Sequence, residues 1–420
     1  MAGRHPPDNP FPAGTIVTGD DFADRREEVA LLRDELRQGG RVFLLAYRRF
    51  GKSCLIHETL RRLQTDDRAL TAYVDLYRAN SERELWELFA NAVLAAGRSP
   101  VKKLVEWVTE MARGFRPRFS IDAQTQQPVL TFDAARSPAD VAEVREWALA
   151  LPPKVAQRGE RPLVIAFDEF QEIRGFDGAR LEKSLRAAFQ THRGVGYLFA
   201  GSKPHLLREM AQEGAAFYRF GRLIELGPVA EAAWASYLAP RFRRGPIEIE
   251  SPAIRALVVL AEGIPYYVMR LCRALWSRGL HAGRLTEADV RHQFDELVAE
   301  GDQLFAESWD ALTLVQRRTL TAVAAGGAVF SERVRGAHEL GPSSTLARSL
   351  ERLQDLSFVA RERAQDGGGF RYRIVDPLLR AWVLRGRSPV TASETETDTR
   401  QEPTPRGRSR SRRRPTKQRR

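Results

Sequence analysis

Eight residues between a short apolar run and a helical pattern carry the first recognisable chemistry of this 420-residue chain: Ala46-Tyr47-Arg48-Arg49-Phe50-Gly51-Lys52-Ser53. A Gly-Lys-Ser opening a helix brings free backbone N–H groups, the positive end of the helix dipole and an ammonium to one place. That combination suits phosphate oxygens. Gly51 lets the backbone approach without a Cβ, Lys52 can reach β- and γ-phosphate oxygens, and the Ser53 hydroxyl can complete the shell of a bound Mg²⁺. Cys54, in the first helical turn, closes the set. Ala46 stands where the usual pattern has its first glycine, so the competing reading is a basic strand-to-helix turn.

A second constellation lies about 115 residues further on. The apolar run 163–167 (LVIAF) leads directly into Asp168 and Glu169. A strand ending in two carboxylates is what a magnesium-dependent NTPase requires: Asp168 to hold Mg²⁺, usually through water, and Glu169 to polarise the attacking water. Solvated acids capping a strand are the plain alternative. The two constellations together point to ATP with Mg²⁺ as cofactors, with Ser53 and Asp168 on the metal and Glu169 and Lys52 in catalysis.

These residues need a scaffold. Apolar runs at 41–46, 69–76, 162–167, 195–200 and 222–226 alternate with helical patterns at 24–38, 51–63, 82–96 and 179–191. That rhythm predicts an α/β fold, a five-stranded parallel sheet of the P-loop, AAA+-like kind with helices on both faces. The phosphate loop follows its first strand and the acidic pair its third. The stretch 98–160 interrupts the rhythm, with a β-hairpin expected in its middle and a helix over 138–157. An all-α lid is expected over 229–304, with helices at 230–242, 252–261, 265–277 and 286–303. From 305 to 385, helices at 309–324, 331–339 and 343–356 and two strands at 358–363 and 370–374 read as a winged helix. The domains are thus a leader (1–14), an ATPase domain (15–228), the lid, the winged helix and a tail (386–420).

The runs YRRFGKSCLI, IAFDEFQEI and FAGSKPHLL, in this order, resemble the AAA-type ATPases abundant in archaea and also found in bacteria, of the STAND branch and related to the origin-recognition initiators. The resemblance spans about 9–385. It implies that a small residue is tolerated at Ala46, that Arg25 lies in a segment near the adenine, and that Ser202 is a polar sensor beside the γ-phosphate. Arg219 or Arg222 would be an arginine finger acting on a neighbour's nucleotide, which implies a homo-oligomer. Gly263-Ile264-Pro265 resembles the branch's lid motif, but the arginine that initiators place just beyond it is replaced by Tyr266 and Tyr267; Arg270 is the nearest substitute.

Composition bounds the rest. Apolar runs are too short to span a membrane, the first dozen residues hold no apolar signal segment, and two distant cysteines, Cys54 and Cys272, suggest inert thiols in a cytoplasmic protein. The seven histidines suggest no metal site. From Arg385 to Arg420 there are 12 basic and 4 acidic residues, so eight of the twelve net positive charges sit in the last 36 residues. Residues 406–420 could bind nucleic acid through phosphate contacts alone. In the winged helix, Arg348, Arg352, Arg361, Arg363, Arg371 and Arg373 interleave with Glu351, Asp355 and Glu362, which favours an interaction or autoinhibitory module over a DNA reader. Two functions remain open: an ATP-driven switch that recruits a protein partner of unknown identity, or an ATP-regulated DNA-binding regulator.

Overall fold

The computed structural model describes residues 7–97, 106–107, 118–121, 128–132, 137–326, 328–363 and 370–386. Its centre is a parallel sheet of β1 (Arg41–Ala46), β2 (Leu70–Asp75), β5 (Leu163–Asp168), β6 (Val195–Gly201) and β7 (Arg222–Leu226), in spatial order β2-β5-β6-β1-β7. β3 (Arg118–Ile121) and β4 (Pro128–Thr131) pair antiparallel inside the 98–160 insertion. β5 and β6 are buried along their whole length, as parallel strands covered on both faces must be.

The two-residue strand period splits the sheet into two cores. Val42, Leu44, Val164, Ala166, Leu198 and Ala200 face helices α1 (Arg26–Arg37) and α2 (Lys52–Thr65). Phe43, Leu45, Ile165, Phe167, Tyr197 and Phe199 face the opposite layer, where Phe167, Tyr197 and Phe199 stack with centroids 5.8–6.5 Å apart. The first core continues without a break through the lid into the C-terminal module, to Leu350, Ile374 and Val383. Burial of side chains from all three parts in one cluster makes their separation costly in apolar exposure.

Three expected helices are shorter or divided, each for a local reason. The helix expected over 138–157 is two, Pro138–Leu149 and Leu151–Gly159, because Pro152 and Pro153 suit the first turn of a new helix and break the interior of an old one. The pattern over 286–303 stops at Glu300; Gly301 separates it from a second helix, Asp302–Asp310. The pattern over 309–324 restarts at Leu314 under a capping box between Thr313 and Gln316. A helix at Pro204–Ala211 adds an element that periodicity did not mark. The lid is helical, with one two-residue parallel pair between β8 (Glu248–Ile249) and β9 (Arg284–Leu285). Beyond it, helices Leu314–Ala324, Glu332–Ala337 and Ser343–Asp355 precede an antiparallel hairpin of β10 (Val359–Arg363) and β11 (Phe370–Ile374), and helix Pro377–Leu384 follows. The basic tail, 387–420, lies outside the described residues.

Candidate phosphate and metal site

α2 begins at Lys52, with Gly51 at its N-cap in the left-handed region (φ +82°) and no side chain capping it. The first N–H groups of the helix therefore keep their donors for a ligand. Ala46 ends β1, paired with Leu226, and its φ is not positive. An alanine costs nothing there, which accounts for the missing first glycine of the motif. The loop's strained residue is Arg49 instead (φ +73°).

β5 delivers Asp168 and Glu169 opposite the loop. Lys52 Nζ donates to Asp168 Oδ1 and, at 2.9 Å, to Glu169 Oε1. Ser53 Oγ donates to Asp168 Oδ2 at 3.0 Å. Ser202, at the end of β6, donates to Glu169 Oε2 twice, from its backbone N–H at 3.1 Å and its hydroxyl at 2.6 Å. Gln171 Nε2 donates to the same oxygen at 2.7 Å. Burial alone would raise the Glu169 carboxyl, but the Lys52 charge and the Ser202 and Gln171 hydrogen bonds outweigh it and bring the group down to about 2. Glu169 is thus ionised over the whole neutral range. Its backbone is left-handed (φ +52°), the kind of local strain that collects at working sites.

A cavity of about 320 Å³ opens over this cluster. Tyr47, Arg48, Arg49, Gly51, Lys52, Ser53, Cys54, Glu169 and Ser202 line it from below. Pro12 and Gly14 from the leader, Thr15–Val17 just after it, and Pro265, Tyr266 and Met269 from the lid form the other walls. The expected leader is therefore part of the site: Phe11 is fully buried against Phe242 and Trp276, which pins the segment that follows. Sequence reasoning missed this wall because no periodicity or motif marks it. Ser53 and Asp168 offer hard oxygens, and among the described residues no group of three or more His, Cys, Asp or Glu could hold a metal ion. Such a pair fits Mg²⁺, which takes one or two protein oxygens and completes its shell with water and phosphate.

Arg25 is buried and lines no part of this cavity; it donates to the carbonyls of Phe50 and Gly227 and pairs with Glu28 at 3.0 Å, fixing the loop from behind. Arg222 pairs with Glu35 at 3.1 Å on the outer strand, and Arg219 is exposed beside the Tyr218 ring. Arg270 pairs with Glu300 at 3.4 Å, away from the cavity. Phe50 is buried, and Cys54 packs near the Thr15 carbonyl, where burial pushes its thiol up.

No protein-family model and no curated protein matches the sequence. Solved structures do. The Walker-type ATPase PABY2304 of Pyrococcus abyssi is 18% identical, with TM-score 0.62 over 89% of this chain and 99% of its own. The ORC2 protein of Aeropyrum pernix, solved as ADPNP–ADP complexes, is 16% identical, with TM-score 0.50 over 87% of this chain and 94% of its own. At such identities the likeness is one of fold, and the fold is that of the P-loop ATPases: an α/β parallel sheet followed by a helical lid.

Proposed function

We propose that the chain binds ATP with Mg²⁺ in this cavity, hydrolyses it slowly to ADP and phosphate, and uses the nucleotide to set the position of its lid and C-terminal module. The observation that carries this reading is Arg49. Its guanidinium donates to the Tyr267 hydroxyl of the lid and pairs at 2.7 Å with Asp376, just before the last helix. Next to it, the Tyr47 hydroxyl accepts from the Arg361 N–H at 3.0 Å. Two phosphate-loop side chains thus touch the parts that a switch would move.

The chemistry follows from which groups are already paired. Lys52 and Ser202 hold Glu169, and a γ-phosphate would compete for both. Departure of the Lys52 ammonium and the Ser202 hydroxyl would leave Glu169 held by Gln171 and the Ser202 N–H and able to accept the proton of a water attacking the γ-phosphorus as ADP leaves. Mg²⁺ would neutralise charge on the phosphates from Ser53 and Asp168.

The STAND-branch reading rests on the order of the motifs and on Gly263-Ile264-Pro265, and the winged-helix reading on the helix pair before the β10–β11 hairpin. Arg373 is engaged inside the chain, with Glu262 at 3.2 Å and with Glu362 at 2.5 Å. This favours a docked, autoinhibitory module that recruits a protein partner when released over a DNA reader. Within a homo-oligomer, Arg219 is the freer finger, since Arg222 is paired. Among the described residues no helix is long and apolar enough to cross a membrane; a cytoplasmic setting is part of the proposal.

Amide hydrogen exchange with and without Mg-ATP tests the switch. Changed protection in 259–282 and 370–386 is the expected result; protection changes confined to 41–65 and 163–175 would oppose it.

A further inference from the structure

Asp168 has a hydrogen-bond donor that neither the phosphate loop nor the acidic pair supplies. Tyr73 lies on edge strand β2, in register with Ala166 of β5, and its hydroxyl donates to Asp168 Oδ2 at 2.9 Å. The same oxygen accepts from Ser53 Oγ. The other oxygen, Oδ1, takes Lys52 Nζ and the backbone N–H of Glu169 at 2.9 Å. Asp168 is buried, so a carboxylate with four donors has its rotation fixed. Three of the donors belong to residues that a ligand would engage or shift. Tyr73 does not line the cavity and sits on a strand, so it is the donor that stays.

The surroundings keep the phenol in that role. Its ring packs against His57 of α2 at 4.5 Å between centroids. His57 Nε2 is buried without a hydrogen-bond partner, and burial lowers the imidazole's proton affinity against the pull of Asp168.

We propose that Tyr73 is a positioning residue for the magnesium site, keeping Asp168 Oδ2 turned toward Ser53, the other residue that would hold the ion. This rests on the nucleotide reading above. Groups that orient a metal's carboxylate from outside are worth about 10–100-fold in metal affinity.

The experiment titrates Mg²⁺ into full-length protein with a fluorescent ATP analogue, for wild type and Tyr73→Phe, alongside binding in excess EDTA. Phe keeps the ring against His57 and removes only the hydroxyl. The expected result is a Mg²⁺ midpoint raised about tenfold or more, with EDTA binding and the unfolding midpoint of the free protein nearly unchanged. Equal Mg²⁺ midpoints would overturn the proposal. So would an equal loss of analogue affinity with and without Mg²⁺, because Tyr73 would then be structural. Wild type that binds no analogue in either condition would overturn the nucleotide reading and this proposal with it.

Discussion

Ser202 and Glu169 are joined by two hydrogen bonds to one carboxylate oxygen, from the serine's backbone N–H at 3.1 Å and its hydroxyl at 2.6 Å. The end of β6 therefore fixes the carboxylate that β5 presents. Replacement of the hydroxyl leaves the N–H bond and the Gln171 bond in place. Ser202→Ala should lower the ATP turnover rate about tenfold with little change in ATP affinity, whereas Glu169→Gln should lower it by about 10²–10⁴. Single-turnover kinetics with a separate binding titration check both.

Glu58 offers a pH test away from the cavity. Its side chain is fully covered, and hydrogen bonds from Arg61 lower its carboxyl to about 2 against the opposing effect of burial, with the Gly19 N–H and Arg62 adding to them. A depressed folded value means that the contribution is complete above the unfolded value near 4.5 and fades as pH falls through about 2. Glu58→Gln should cost about 1–2 kcal/mol at pH 7, discounted because both arginines reach solvent. The difference from wild type should shrink between pH 5 and pH 2. Denaturant unfolding at several pH values measures it.

Gly263 holds the turn that sets lid helix Pro265–Ala282. Its φ is +64°, and a Cβ would come within 2.7 Å of the Val229 carbonyl oxygen, which is backbone and cannot swing away. Its own carbonyl accepts from Trp234 Nε1 and the Val229 N–H. Gly263→Ala should destabilise the protein by about 1–3 kcal/mol, read as a lower thermal midpoint, while Gly336→Ala, in open space at negative φ, should not.

Much of the cluster was legible in the sequence because its parts are local. The apolar runs before Gly51 and Asp168 became β1 and β5, and parallel pairing of the sheet brought the Lys52 and Glu169 side chains within 2.9 Å. What stayed hidden depends on contacts between distant segments. Tyr73 looks like any aromatic residue of a β-strand, Gln171 like a loop residue, and the wall at 12–17 like a chain start without a motif. Arg25 read as a group near the base, and only the fold shows it donating to Phe50 and Gly227, the latter 202 positions away. The helix break at Pro152 could have been read from the paired prolines; the pairing of Arg49 with Asp376, 327 positions apart, could not.

That pairing predicts coupled kinetics. Arg49 is 42% exposed and Asp376 20%, so the bridge is worth only about 0.5–1 kcal/mol. Arg49→Ala should therefore speed nucleotide release about two- to fivefold and loosen protection of 370–386, with the overall unfolding midpoint little changed. Asp376→Asn should speed release in the same direction while keeping the cap on the last helix, since the Asn side-chain oxygen still accepts from the Leu378 N–H. Stopped-flow displacement of a fluorescent nucleotide separates these effects.

ATP binding and turnover with Mg²⁺, compared among wild type, Lys52→Ala and Glu169→Gln, test whether this cavity is a nucleotide site. Lys52→Ala should lose nucleotide, while Glu169→Gln should bind it as wild type does and fail to hydrolyse it. Wild type and Lys52→Ala binding ATP equally poorly would contradict that reading, and would leave the cavity over Lys52 without a phosphate to hold.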